Sequence, residues 1–234
     1  MSIQPLRLIV VDATDRDLPW ARRARAAGFG SDGTARGRLG LSPVWRVGAT
    51  LYGGVGAADA TYAATGWTEA IDWALGQVAR AGRPLGSLQV WCHGGWGSVR
   101  LGDSRLEEDA LAPDHRLAGR LDALRDALAA GRDASAGDAG LPLVWFRCCS
   151  TFGHHGRRFA AAAAERLRCR VAGHTHVIGV LQSGLHSVVP GATAGWDEGE
   201  GVRMDAGRAV AAMGSSWRAP NTVTFLETSL PAGY

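Results

Sequence analysis

The sequence predicts an α/β fold, a three-layer sandwich with a mostly parallel central sheet and helices on both faces. Short apolar runs rich in β-branched residues alternate along the chain with longer segments whose apolar residues recur at helical spacing. This alternation is typical of parallel sheets, because each parallel strand is connected to the next by a helix. The chain has 234 residues, 46% of them hydrophobic and 20% charged, which is enough for one large domain with a buried core.

The first elements follow this pattern. Leu6–Asp12 (LRLIVVD) is a short β-branched run that ends in an acid, which predicts a buried parallel strand. A second strand is predicted within VWRVGATLYGG (44–54). The next segment, GWTEAIDWALGQVARAG, predicts a helix that ends at Gly82. Its apolar residues form one helical face, made of Ile71, Ala74, Leu75 and Val78.

The middle of the chain repeats the alternation. LGSLQVWCHGGWG predicts a strand that ends in a glycine-rich turn at His93, and GSVRLGDSRL predicts a hairpin around Gly102 and Asp103. The segment 107–131 predicts a helix that Pro113 interrupts. The predicted elements that follow are the strand LPLVWFRCC, the helix GRRFAAAAAERL and the strand CRVAGHTHVIGVL.

The last third, from about residue 182, is rich in Gly, Ser and Pro and predicts loops, with NTVTFLE (221–227) a candidate for one further strand. No repeat or low-complexity linker divides the chain. We therefore expect a single domain spanning residues 1–234, with a loop-rich C-terminal third.

The charged residues argue against a nucleic-acid partner. All 25 cationic residues are arginines, and with a single asparagine, Asn221, this indicates a GC-rich genome, as in many bacteria. The arginines are interleaved with acids instead of forming a patch. Only ARRARAAG (21–28) is locally basic, and we interpret it as a solvated helix face.

The cysteines and the N-terminus predict a reduced, cytoplasmic location. The four cysteines are too few and too irregularly placed for a disulfide framework, and the absence of a CxxC pair argues against a structural zinc site. The chain shows neither a signal-peptide pattern nor a run of membrane-spanning length, so no membrane association is expected.

Reactive side chains end two of the predicted strands. VWCHGG ends at His93, and VWFRCCS ends at Cys148 and Cys149, 56 residues after the histidine. Reactive groups in open α/β sheets gather at the carboxyl ends of strands, and a thiol needs a base such as histidine to become a nucleophile. Gly94 and the N–H of Cys149 are candidate oxyanion donors. Strand alternation predicts that Cys148 points away from its neighbour's side.

The segments HGGWGSVRLGDSRL and VWFRCCSTFGHHGRRFAAAAAERL resemble the caspase-like cysteine peptidases, and are most similar to the bacterial caspase-like domains of large repeat-containing surface proteins. The resemblance covers roughly residues 6–179. It implies a caspase-like sheet, a peptide or protein substrate and no cofactor. It also implies that His93 is the base, Gly94 an oxyanion donor and Cys149 the nucleophile. The chain has RCCST where caspases have the Gln-Ala-Cys-Arg/Gln/Gly-Gly signature, so Asp-directed specificity is not implied.

Three interpretations stay open at this stage. The first is a peptidase with a His93–Cys149 dyad, with a substrate pocket whose candidate residues are Trp96, Arg147, His174 and His176. The second is an inactive α/β module that binds a partner protein on the same scaffold. The third is a metal-dependent hydrolase, because GHTH places two histidines on one face of a strand, and the pair His154 and His155 would complete its ligand set. Substrate preference and oligomeric state are not determined by the sequence.

Overall fold

The computed structural model describes residues 4–14, 41–232 and 234, and it shows a mixed α/β fold. The helices are α1 (Leu41–Gly54), α2 (Trp67–Ala81), α3 (Ala118–Ala129) and α4 (Gly156–Leu167), with 3-10 turns at Glu108–Leu111 and Ala134–Gly140. The strands are β1 (Leu6–Asp12), β2 (Ala60–Ala64), β3 (Leu85–Trp91), β4 (His93–Gly95), β5 (Ser98–Leu101), β6 (Ser104–Glu107), β7 (Leu143–Phe146), β8 (Arg170–His174), β9 (Leu181–Gln182), β10 (Leu185–Val188), β11 (Val202–Asp205), β12 (Arg208–Ala212) and β13 (Val223–Thr224).

The central sheet has six strands in the order β2-β1-β3-β7-β8-β10. Five of them are parallel, and β10 runs antiparallel to β8 at the edge. The prediction of a mostly parallel sheet is therefore confirmed. Because β3 and β7 are neighbours, the predicted histidine strand and the predicted cysteine strand lie side by side.

The two faces of the sheet are covered differently. On one face, apolar residues of α2, α3 and α4 pack with alternate residues of the strands in the largest hydrophobic cluster. On the other face, α1 covers β1 and β3, where Ala49 and Tyr52 pack with Ile9 and Trp91. The C-terminal segment covers β7, β8 and β10 on that same face. The strands are therefore buried on both faces, as their nearly continuous apolar runs require.

The prediction of a strand within residues 44–54 is wrong, because this segment lies within helix α1. Ala49 and Tyr52 are buried three residues apart, while Val47 and Leu51 are exposed four residues apart, which is helical spacing. The two valines of the segment have a high β-propensity, but packing against the sheet determined the outcome. The second strand is β2, which follows this helix.

The other predicted elements occur, with shorter boundaries. The predicted hairpin is formed by β5 and β6, and β4 extends it to a three-stranded sheet. The helix over 107–131 is interrupted at Pro113, with a 3-10 turn before the break and α3 after it. The strand predicted over 169–181 ends at His174, and the last third contains only short strands. The basic segment 21–28 lies outside the described residues.

No helix within the described ranges combines the length and the hydropathy that crossing a bilayer requires.

Candidate functional site

The register of β3 and β7 brings His93 and Cys149 to the same edge of the sheet. Val90 pairs with Phe146, an offset of 56 residues, and the same offset separates His93 from Cys149. The backbone N–H of Arg147 still donates to the carbonyl of Val90, at 2.9 Å, so the two chains stay paired one residue past β7. Both reactive side chains therefore leave the sheet at its carboxyl edge, where α/β proteins place their sites.

The two adjacent cysteines point in opposite directions, as strand alternation predicts. Cys148 is 1% exposed and packs in the large hydrophobic cluster, with its Sγ 3.7 Å from the Sγ of Cys92. Cys149 is half-buried on the other face, where its thiol lies 3.8 Å from the carbonyl oxygen of Ile178. Only Cys149 of this pair borders open space, which leaves Cys148 as a core residue.

A cavity of about 380 Å³ contains both reactive side chains. Its lining includes His93, Cys149 and the outward face of α1. The walls are mainly apolar, and the large side chains among them are Trp45, Val47, Leu51, Trp91 and Phe225. A concave apolar pocket with a few convergent polar groups is the usual form of a small-molecule or side-chain binding site.

Trp45 contacts the imidazole of His93 directly. The two rings meet edge to face, with their centroids 5.3 Å apart. His93 begins β4, and its backbone pairs with Arg100 of β5. The imidazole thus packs against α1, while the backbone of His93 belongs to a short antiparallel sheet.

Gly94 allows β4 to approach the cysteine turn, which consists of residues 148–153 after β7. A side-chain carbon at Gly94 would collide with the carbonyl oxygen of Cys149 and would lie 2.5 Å from Oγ1 of Thr151 and 2.9 Å from Cβ of Cys148. Any residue larger than glycine would therefore push β4 away from the cysteine turn. The predicted oxyanion donors are the backbone N–H groups of Gly94, in β4, and of Cys149, in the adjoining cysteine turn.

The electrostatic environment keeps Cys149 protonated in the resting protein. Burial raises the pKa of the Cys149 thiol above its ordinary value, and a backbone hydrogen bond with Ile178 opposes this effect only in part. Burial, together with the thiol of Cys148, raises the pKa of Cys92 well above the ordinary value. Because the Cys149 thiol is protonated, it can act as a nucleophile only if a base removes its proton during the reaction.

Arg147 lies in the cavity wall and holds the C-terminal segment against the sheet. Its side chain is 3% exposed and donates to Oε1 of Gln182 from Nε at 3.0 Å and from Nη2 at 2.7 Å. The guanidinium also donates to the hydroxyl of Tyr52 and to the backbone carbonyls of Phe225 and Glu227. Burial lowers the pKa of Arg147, and the hydroxyl of Tyr52 opposes that effect.

The other predicted pocket residues lie elsewhere. Trp96 lines a separate depression with Glu108 and His155, and its ring meets that of His154 with 5.1 Å between centroids. Neither His174 nor His176 lines the cavity. Of the four predicted pocket residues, the structure therefore brings only Arg147 together with the His93–Cys149 pair.

His174 is buried inside the fold with both ring nitrogens engaged. The indole N–H of Trp145 donates to Nε2 at 3.3 Å, and Nδ1 lies 3.3 Å from the carbonyl of Ser183. Burial, with a smaller contribution from the positive charge of Arg147, lowers the pKa of His174 to about 3. This imidazole has no lone pair left for a metal ion, so the geometry does not favour a metal site on the GHTH segment.

His176 belongs to a neighbouring network around Glu200. Oε1 of Glu200 accepts hydrogen bonds from Thr175 and His186, both at 2.7 Å, and Nδ1 of His176 lies 2.9 Å from the Thr175 hydroxyl. Burial opposes ionisation of Glu200, but the hydrogen bonds from His186 and Thr175 outweigh it and hold the pKa below its usual range. Burial lowers the pKa of His176. These contacts make the segment after β8 a structural support for the cysteine turn, since Ser150 donates to the His176 carbonyl.

One group among the described residues has metal-ligand geometry. Ligand atoms of His154, His155 and Glu198 all lie within 4.8 Å of one another at the surface beside α4. Two imidazoles and a carboxylate suit a borderline cation such as zinc. None of these three residues lines the cavity with Cys149, so they play no part in the site described here.

Sequence reasoning missed the α1 side of the site. Trp45, Val47 and Leu51 line the cavity, but their segment was predicted as a strand. The apolar residues at 44, 47, 51 and 55 recur at helical intervals, and this spacing was the available signal. Phe225 comes from the loop-rich tail, where no local pattern indicates a contact with β3 or β7.

Searches against family models, curated proteins and solved structures found no match to this chain.

Proposed function

We propose that this chain is a cysteine peptidase in which His93 and Cys149 form the catalytic dyad. The observation that carries the proposal is that both side chains, from the carboxyl ends of two adjacent parallel strands, line one cavity of about 380 Å³. Among the residues quoted for the caspase-like resemblance, His93, Arg147 and Cys149 line this cavity. A three-layer arrangement with a caspase-like sheet accommodates the observed packing, since α1 covers one face and α2, α3 and α4 cover the other.

The dyad would act in two chemical steps. In acylation, the imidazole of His93 takes the thiol proton while the sulfur of Cys149 attacks the peptide carbonyl carbon. The carbon–nitrogen bond then breaks, and the proton passes from the imidazolium to the leaving amine. In deacylation, a water molecule gives a proton to His93 and its oxygen attacks the thioester, which releases the acid product and restores the thiol.

The raised pKa of the thiol favours proton transfer over a preformed ion pair. A thiol that stays protonated in the empty site reacts rapidly only when an aligned base takes its proton. The backbone N–H groups of Gly94 and Cys149 would then stabilise the oxyanion, a contribution typically worth about 2.7–4 kcal/mol per donor.

The test is alkylation by iodoacetamide, followed by intact mass spectrometry. Cys92, Cys148 and Cys169 are at most 2% exposed, so selective labelling of Cys149 is expected from burial alone and does not test the dyad. The informative measurement is the labelling rate at pH 7 in His93→Gln, with His155→Gln as the control that removes an exposed imidazole. We expect at least a ten-fold decrease for His93→Gln only. Equal rates in the wild type and both variants would refute the dyad.

A second function is favoured by one specific observation. The protonated, half-buried Cys149 beside the Ile178 carbonyl is also what an inactive protein-binding module would have. Peptide-library cleavage separates the two: the peptidase yields product that Cys149→Ala abolishes. An inactive module yields none, and its cavity still binds a partner.

A further inference from the structure

The cavity beside Cys149 is built from large apolar side chains. The outward face of α1 supplies part of the wall, and the rings of Trp91 and Phe225, which lie against this helix, supply another part. Gly48 of α1 faces these two rings, where a side-chain carbon would be 2.9 Å from the Trp91 ring and would overlap that of Phe225. The absence of a side chain at this position lets both aromatic rings lie against the helix. The polar groups that remain are those of the dyad and of Arg147 and Gln182.

Arg147 carries a positive charge there without a free hydrogen bond donor. Acceptors in the fold, namely a glutamine oxygen, a tyrosine hydroxyl and backbone carbonyls, account for its five N–H groups. The guanidinium carbon also lies 4.4 Å from the ring centroid of Trp145. No carboxylate of the described residues contacts this guanidinium, and Glu227 contributes its backbone carbonyl. This part of the wall therefore carries a positive charge, and the N–H groups of that charge already have acceptors within the fold.

We propose that this cavity binds a large uncharged apolar side chain, such as that of leucine or phenylalanine, on the substrate residue whose carbonyl Cys149 attacks. This inference rests on the proposed peptidase function and names its substrate class. A lysine or arginine side chain would bring a second cation into an apolar wall that offers it no carboxylate. An aspartate side chain would lose its hydration and find no free N–H of Arg147 to replace it. An apolar side chain gives up no hydrogen bond on entering the cavity, and the burial of its apolar surface favours binding.

The test uses four peptidyl acyloxymethyl ketones that differ only in the residue next to the reactive group: Leu, Phe, Arg or Asp. The labelling rate of Cys149 is measured by intact mass for each. We expect the Leu and Phe probes to react 10- to 100-fold faster than the Arg and Asp probes, from the burial of one apolar side chain. A faster Asp probe would mean that Arg147 releases a donor to the ligand, and it would overturn the inference. A faster Arg probe would do the same.

Matched variants on one helix face locate the effect. Val47 lines the cavity mouth and is 62% exposed, so Val47→Arg adds a cation there without disturbing the core. Val55, one residue beyond α1, is 74% exposed and does not line the cavity, which makes Val55→Arg the control. We expect Val47→Arg to slow the Leu probe at least ten-fold and Val55→Arg to leave it unchanged. Val47→Glu supplies a carboxylate and should speed the Arg probe relative to the Leu probe.

A binding measurement separates this inference from the peptidase proposal. In Cys149→Ala, quenching of Trp45 and Trp91 fluorescence reports binding of N-acetyl-leucinamide against N-acetyl-argininamide. If no probe labels Cys149 but the leucine compound still binds at least ten-fold more tightly, the peptidase proposal fails and the apolar pocket stands. If binding shows no preference, or favours the arginine compound, the pocket inference fails regardless of the labelling result.

Discussion

Burial of His174 should make this protein lose stability as the solution becomes acidic. The pKa of this imidazole falls from an ordinary 6.5 to about 3, with burial the main cause. Below pH 6.5 the unfolded chain binds a proton at this position that the folded chain does not accept until pH 3. Stability is therefore lost progressively across that window as pH falls. The hydrogen bonds also favour the neutral imidazole, because a proton on Nε2 would face the indole N–H of Trp145.

The magnitude follows from the two pKa values. One unit of pKa difference corresponds to about 1.4 kcal/mol, so the full window corresponds to about 5 kcal/mol. Between pH 6 and pH 4, His174 alone should lower the free energy of unfolding by about 2.5 kcal/mol. This is a large part of the 5–15 kcal/mol that ordinary domains possess.

The variant His174→Gln removes the titrating group while retaining an acceptor for Trp145 and a donor for Ser183. Urea unfolding followed by tryptophan fluorescence, at pH 6, 5 and 4, gives the free energy of unfolding for the wild type and the variant. We expect the wild type to lose about 2.5 kcal/mol relative to the variant over this range. His155→Gln, which removes a histidine that is 68% exposed, is the matched control. Parallel pH curves for the wild type and His174→Gln would refute the reasoning.

Three further predictions concern the supports of the site. Gly94→Ala should destabilise the fold by about 1–3 kcal/mol in thermal unfolding and slow labelling of Cys149, whereas Gly95→Ala, with only an ordinary contact at 3.5 Å, should do neither. Glu200→Gln should lower the free energy of unfolding at pH 7, and this loss should shrink as the pH falls below the ordinary pKa of a glutamate, because a carboxylate with a depressed pKa stabilises the fold fully only above its ordinary pKa and loses that effect on protonation. Arg147→Met should lower the unfolding temperature and expose the C-terminal segment to limited proteolysis, since it removes the donors to the carbonyls of that segment. An unchanged protease pattern for Arg147→Met would contradict that role.

The local sequence was sufficient where short-range physics determines structure. The apolar runs identified β1, β3 and β7, and Gly82 identified the end of α2, because burial and left-handed backbone geometry are local requirements. The opposite orientation of Cys148 and Cys149 followed from strand alternation alone. The prediction for residues 44–54 failed because two local signals disagreed there: the β-propensity of the valines favours a strand, whereas the spacing of the apolar residues favours a helix.

The chain by itself determined a parallel α/β sheet with a histidine and a cysteine at the ends of two strands. Which strands are neighbours, and therefore whether these side chains share a cavity, depends on long-range pairing between β3 and β7 that no local pattern encodes. The same holds for the cavity walls, because α1 and Phe225 are far apart in sequence and meet only through packing on one face of the sheet. Tertiary packing also decided that Trp96 and His176 lie outside the cavity beside Cys149. Burial depends on every element that covers a residue, and a single segment specifies only its own period and propensity.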